Sequence, residues 1–378
     1  MTQIDRRGVL KVGGAVLGAT ALSALAAPAA SASSTGTSRR VREEGRTLDA
    51  LYAEARREGG ELVVYAGGDT PDQQDATKAA FTAQFPGIRL TMVVDYSKYH
   101  DVRVDNQLAT RSLVPDVVQL QTLQDFTRWK QQGVLQPYKP AGFSALHPSF
   151  RDQDGAWVAV AVYAFSYMHQ ASLGSRGPAT PRDLVDPRWR GAIASSYPND
   201  DDAALYLYKL YAETYGWDWV RRLAAQAPQF ARGTNTPIEA VASGRKVIGV
   251  AGAGSLTAPL APGVQWVTPA GHPFMAWGQR AALLQGAPHP AAAKLYLNWM
   301  LSVPVQQTSF NGWSVRTDVR PAGNLAPIWK NPDAHLDGFP RFMADRAEVE
   351  RWRQTFSLYF GEVQGAPSPG VLGLHPGR

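Results

Sequence analysis

The sequence predicts an α/β fold of two lobes, and three observations carry it. Short apolar strands alternate with amphipathic helices, the pattern of a mainly parallel sheet covered on both faces. Of the 378 residues, more than three hundred remain once an N-terminal leader is set aside, too many for one ordinary core. Two long extended stretches, 157–170 and 264–286, separate two such α/β halves, so the chain is expected to cross between lobes and return.

Taken in order, the leader comes first. Arg6-Arg7 is followed by Leu10-Lys11, an apolar run of Ala, Gly and Leu, and a small-residue exit at Ala30-Ser31-Ala32. That is a secretory signal over 1–32, and the arginine pair makes it the twin-arginine kind. The polar segment 33–47 reads as a flexible leader. Residues 48–60 have helical spacing closed by glycine, and ELVVYAGG (61–68) is a buried strand. The first half continues as a helix (70–87), a strand (88–96), a helix (99–112), a strand (115–121) and a helix (122–133). The second half repeats the grammar with a short helix (179–191), the strand AIAS (192–195) and a helix (201–216). A short helix (236–244), a strand (246–252) and a helix near 288–302 complete it. The expected division is 48–162 with 272–378 as lobe I and 163–271 as lobe II, each a mainly parallel sheet flanked by helices, joined by a two-segment hinge.

Composition narrows the function. The chain has no cysteine, so neither a disulfide, a thiolate nucleophile nor a lipidated cysteine is available. The formal charge is +6, and removing the signal, with three basic residues and one acidic, takes it to about +4. No long basic run accompanies it, which argues against nucleic acid. No further apolar stretch is long enough to span a bilayer. The seven histidines are scattered with none at i, i+4, so no zinc motif is present. Ser255 lacks the following glycine of a nucleophile elbow, and Pro259 blocks the helix a dinucleotide fingerprint needs. No metal, cofactor or catalytic set is expected.

The functional candidates cluster at strand ends, where open α/β sheets bind ligands. Gly68 and Asp69 end one strand, with Thr70-Pro71 read as the cap of the next helix. Thr180-Pro181 and Thr236-Pro237 repeat that device and read as plain caps. Tyr96, Ser97, Gln121 and Thr122 lie at two more strand ends; Ser195, Ser196, Tyr197 and Ser255 lie at two in the second half. Free N–H groups there would favour an anionic group, and the aromatics an apolar part. Tyr163 and Trp277 lie in the extended crossings, and Arg280 would pair a carboxylate or phosphonate. In Asn199-Asp200-Asp201-Asp202 the first two read as caps able to turn toward a ligand, the last two as exposed first-turn charges. Adjacent helical residues point about 100° apart, so the three carboxylates cannot share one metal. Trp189 and Trp299 read as packing residues.

The order of motifs resembles the solute-binding proteins of ABC importers. EGGELVVYAGGD, PDVVQLQTLQDFTRWKQQGVLQPY, DLVDPRWRGAIASSYP, IEAVASGRKVIGV and GAPHPAAAKLYLNWMLSVPVQQ carry the likeness, over nearly the whole mature chain. The branch is similar to ferric-iron, thiamine and phosphonate binding proteins. The resemblance implies a class II periplasmic-binding-protein fold, a small-molecule ligand closed between lobes, an ABC permease as partner, a monomer and no catalysis. Ferric-binding relatives present adjacent tyrosines after a lobe II strand; Val250–Ser255 here has none, so direct ferric coordination is not expected. Two alternatives stay open. One is a secreted enzyme on the same frame, with Asp69, Asp95, Lys98 and Asp200 as acid–base suspects; the other is a module delivering its ligand to a sensor.

Overall fold

The computed structural model describes residues 41–308 and 312–365. The signal expected over 1–32 lies outside the described residues, as does most of the segment after it. The remainder of that segment, 41–47, is not the loose leader expected. The Glu43 carboxylate accepts from the nitrogens of Gly142 (2.7 Å) and Ser144 (3.0 Å), and Thr47 caps the first helix through the nitrogen of Ala50 (3.2 Å).

From that cap run α1 (Leu48–Glu58), β1 (Glu61–Gly67), α2 (Asp75–Gln84), β2 (Arg89–Asp95), α3 (Ser97–Ala109), β3 (Val117–Leu120) and α4 (Leu123–Gln131). The strands β2, β1 and β3 pair in parallel in that order. Their apolar side chains meet α1 and the later helix Pro290–Met300 in a core holding Leu51, Leu62, Val64, Phe81, Leu295 and Trp299. The helix expected from Thr70 starts instead at Asp75, without a side-chain cap. Two glutamines hold the intervening turn: Gln73 Oε1 takes the nitrogen of Asp69 (2.5 Å), and Gln74 Nε2 reaches the carbonyl of Gly67 (3.4 Å).

The next strand is the first crossing, β4 (Val158–Gln170). After it come β5 (Ile193–Ser196), α5 (Asp202–Tyr215), α6 (Trp217–Ala225), β6 (Gln229–Ala231), α7 (Thr236–Ala242), β7 (Ile248–Ala253) and β8 (Val264–Val267). The second crossing is β9 (Met275–Leu283), followed by α8 (Pro290–Met300), α9 (Val303–Gln307), α10 (Gly338–Ala344) and α11 (Arg346–Phe360). Strands β7, β5 and β6 are again parallel neighbours. The lobes are joined by strand pairing: β3 pairs antiparallel with β9, β9 with β4, and β4 with β7 and β8. The result is one sheet ordered β2-β1-β3-β9-β4-β7-β5-β6 through both lobes. On β4 the partner changes at Phe165, from β9 to β7.

The chain after 337 departs from the division expected from sequence, which gives 272–378 wholly to lobe I. Phe356 of α11 lies edge-on to Tyr208 of α5 (5.7 Å), and Phe339 of α10 lies against Tyr206 (5.5 Å) and against Trp277 of β9 (5.7 Å). Arg353 of α11 pairs with the buried Asp202, and Asn199 donates to Ser357 Oγ (2.8 Å). Helix α11 thus covers the second lobe, and α10 packs between α5, β9 and α4 of the first lobe. A stripe of aromatic residues on α11 with a free apolar face must bury it, and α5 supplies the partner face.

Candidate functional site

Between the lobes the ends of β1, β2 and β3 face the loops after β5 and β6. Gly67, Gly68, Asp69, Gln73, Tyr96, Ser97, Lys98, Gln121 and Thr122 come from the first lobe. Asp200, Asp201, Asp202, Gly233, Thr234 and Ala253 come from the second, with Tyr163, Phe165, Trp277 and Gln279 from the crossing strands as the floor. They enclose a polar chamber of about 80 Å³.

Three polar contacts bridge the lobes there. Asp69 Oδ2 accepts from the nitrogen and hydroxyl of Thr234 and from the nitrogen of Asn235, each at 2.8 Å. Lys98 Nζ donates to Asp200 Oδ1 (2.6 Å), which Arg232 also holds (2.9 Å). Gln121 Nε2 donates to Asp201 Oδ2 (3.1 Å). The approach needs small residues. Gly233 sits in the left-handed region (φ 84°), and a Cβ there would stand 3.2 Å from the Tyr96 hydroxyl and 3.3 Å from Asp69. A Cβ on Gly67 would run into the Ser97 hydroxyl.

The three aspartates of the 200–202 run go three ways. Asp201, not Asn199 or Asp200, caps α5, accepting from the nitrogen of Ala204 (2.8 Å). Burial pushes its carboxyl up to about 6, with Asp202 and Asp69 adding to the effect. Asp202, expected as an exposed charge, is buried against Arg353. Asp200 is the one turned to Lys98. Burial likewise raises Asp69 above the ordinary carboxylate range, and it strongly raises the Tyr96 phenol, with Asp69 and Asp200 pushing the same way.

Among the sequence candidates, Gly68, Asp69, Tyr96, Ser97, Gln121, Thr122, Tyr163 and Trp277 come together in this chamber. Thr70 stands in the turn outside it. Ser195 and Ser196 face into the second lobe, where their hydroxyls donate to the carbonyls of Val250 (3.1 Å) and Ala251 (3.0 Å). Tyr197 stacks on Phe230 (5.2 Å), and Asn199 is turned to α11. Ser255 accepts from the nitrogens of Thr257 (3.2 Å) and Ala258 (3.3 Å) in its own turn. Arg280 is on the wrong face of β9, because side chains alternate and Trp277 and Gln279 own the cleft side. Its guanidinium lies 3.8 Å over the Trp157 ring and donates to the Leu123 carbonyl (2.6 Å).

Sequence reasoning did not select Gln73, Phe165, Gly233, Thr234 or Gln279. The same alternation was the available signal for two of them: Phe165 is two residues from Tyr163, and Gln279 two from Trp277. The free N–H groups read as an anion site are occupied by the chain itself. Those of Gly68 and Asp69 donate to the Asp95 carbonyl (3.0 Å) and to Gln73 Oε1 (2.5 Å), and that of Tyr197 to the Ala231 carbonyl (3.3 Å). Thr236 does not cap α7; its hydroxyl donates to the Arg232 carbonyl (2.9 Å), leaving the helix start to Asp69 of the other lobe. The Thr122 hydroxyl, which lines the chamber, is buried without a hydrogen-bond partner among the described residues. Among the described residues no group of His, Asp or Glu is arranged to hold a metal ion, and no helix is long and apolar enough to cross a membrane.

Comparison with known proteins places this architecture. The model of a family described as bacterial extracellular solute-binding protein matches residues 114–315. The periplasmic binding protein AfuA of Actinobacillus pleuropneumoniae, solved with fructose-6-phosphate, aligns with a TM-score of 0.63 at 17% identity, over 80% of this chain and 99% of that one. The substrate-binding protein of an ABC transporter from Agrobacterium tumefaciens aligns at 0.65 with 16% identity, over 79% and 94%. Iron-bound HitA of Pseudomonas aeruginosa aligns at 0.57 with 16% identity, over 78% and 99%. No curated protein sequence matches the chain.

Proposed function

This chain belongs to the family of bacterial extracellular solute-binding proteins, and on that premise we propose that it captures a small polar organic solute, neutral or positively charged, between its lobes for delivery to an ABC permease. The anionic guest expected from the sequence is set aside on the charge of the site. Asp69, Asp200, Asp201 and Asp202 line the chamber; among the described residues Lys98 is the one cation lining it, and Asp200 already holds it. A bound anion would have to displace a carboxylate from its own donors. A guest with N–H or O–H groups instead meets acceptors. The observation that carries the reading is the buried Thr122 hydroxyl, a polar group without a partner among the described residues, in a chamber lined by both lobes.

Binding rather than chemistry fits the same geometry. The acid–base suspects are engaged: Asp69 with Thr234, Asp95 with Arg103 (2.9 Å), and Lys98 with Asp200. In this reading lobe I is 48–162 with 272–337, lobe II is 163–271 with α10 and α11, and the protein works as a monomer exported by the twin-arginine route.

Native mass spectrometry of the purified mature protein tests the proposal. The expected result is one non-covalent organic adduct, neutral or cationic, recovered unchanged on denaturation. Bound iron, a phosphorylated solute or a turned-over product would overturn it.

A further inference from the structure

A second, larger cavity of about 500 Å³ adjoins the polar chamber, and both lobes line it as well. The two share Asp69, Gln73, Tyr163, Thr234 and Ala253, so the contact of Asp69 with Thr234 is the partition between them. The walls differ. The larger cavity is bounded by Ala76 and Ala80 of α2, Val160 and Ala161 of β4, Ile238 of α7, Leu260, and Trp299, Met300 and Val305. Its amides are mostly spent within the protein: Gln306 donates to the carbonyls of Val160 and Met300 (both 2.8 Å), and Gln119 accepts from the Tyr296 hydroxyl (2.9 Å). The surface offered to a guest is therefore largely apolar.

Two further facts bear on what fills it. At about 80 Å³ the polar chamber is far below the ~300–1,000 Å³ usual for an organic ligand, whereas the larger cavity falls inside that range. And the partition residue keeps a free acceptor. All three hydrogen bonds to the Asp69 carboxylate end on Oδ2, and among the described residues Oδ1 accepts none. Asp69 is also the single charged side chain, among the described residues, that lines the larger cavity.

We propose that the guest is an amphiphilic cation: an ammonium-type head held at Asp69 on the partition, and an apolar body lying in the larger cavity against α2, Trp299 and Met300. This rests on the solute-binding reading above, takes its positively charged alternative, and replaces an all-polar guest by one with an apolar body. The carboxylate gives the head a charge partner, and Tyr163 flanks it on both sides of the partition. The apolar walls give the body an environment it gains by entering.

The test uses the purified mature chain and calorimetric titration with ethyl-, butyl- and hexylammonium, with hexanol as the uncharged control. Affinity is expected to rise about four-fold per added methylene, the gain for a buried CH₂. Hexanol should bind at least ten-fold more weakly than hexylammonium, and Asp69→Asn should remove that difference. Ala80→Trp, on the exposed face of α2, should flatten the chain-length series. Ala161→Leu, which fills the same space from β4, should do so too, so that misfolding of one variant leaves the other to decide. A flat series in the unmodified protein, a slope unchanged in both filled variants, equal binding of hexanol, or no binding of any amine overturns the proposal. If that happens while native mass spectrometry still finds a small polar solute, the solute-binding reading stands and only the amphiphilic class falls.

Discussion

Asp69 Oδ2 lies 2.8 Å from the main-chain nitrogen of Thr234 and 2.8 Å from that of Asn235, and the two sides of this contact belong to opposite lobes. A carboxylate from the first lobe therefore supplies the cap that the start of α7 lacks in its own. Closure and helix capping are one interaction. Opening the cleft uncovers two backbone donors and a carboxylate together.

Asp69→Ala is accordingly expected to shift the ligand-free protein toward the open form. Hydrogen bonds to a charged group contribute about 1.5–3 kcal/mol each, and water replaces part of that on opening. An interlobe distance between spin labels at exposed Gln131 and Arg245 should lengthen and broaden. An unchanged distance distribution would show that Lys98–Asp200 and Gln121–Asp201 suffice to hold the lobes.

The burial of Asp201 makes closure sensitive to pH. Its carboxyl is pushed up to about 6 in the closed form, whereas a solvated aspartate titrates near 4. The closed form therefore binds the extra proton between those values. Its advantage is full below about pH 4 and is lost as pH rises through about 6. The same label pair should report a falling closed fraction from pH 4 to 7, at most about ten-fold per unit. In Asp201→Asn the slope should shrink to whatever Asp69 contributes; an identical profile would remove Asp201 as its source.

Arg280 divides binding from stability. Arg280→Ala takes away the stacking on Trp157 and leaves the Leu123 carbonyl without its donor, a loss of about 1–3 kcal/mol in urea unfolding. Affinity for the co-purified solute, or for butylammonium, should stay within two-fold. A ten-fold loss of affinity at unchanged stability would bring Arg280 back to the ligand.

For export, Arg6→Lys with Arg7→Lys should leave the precursor in the cytoplasm, read by fractionation and immunoblot. Normal export of the double variant would point to the general secretory route.

Much of the site was readable because strand ends announce themselves. ELVVYAGGD is an apolar run stopped by two glycines and a carboxylate, and the structure puts that stop at the cleft. Period-two alternation carries the floor, from Tyr163 to Phe165 and from Trp277 to Gln279. It also removes Arg280, one residue out of phase. Ser195 and Ser196 mislead for a related reason. A four-residue strand buried on both faces turns its hydroxyls toward neighbouring carbonyls, and nothing in the letters IASS separates that from a cleft edge.

The amino-acid order by itself determined the alternating α/β fold, the two lobes with their extended crossings, and the strand ends that build the cleft. Those follow from periodicity and turn chemistry, which are local. Only the tertiary structure decided which charges meet. Asp69 faces Thr234 across 165 residues, Lys98 faces Asp200 across 102, and Asp202 faces Arg353 across 151. Partners so far apart in sequence are brought together by the packing of two lobes, and electrostatic interaction depends on distance and burial that no local pattern records.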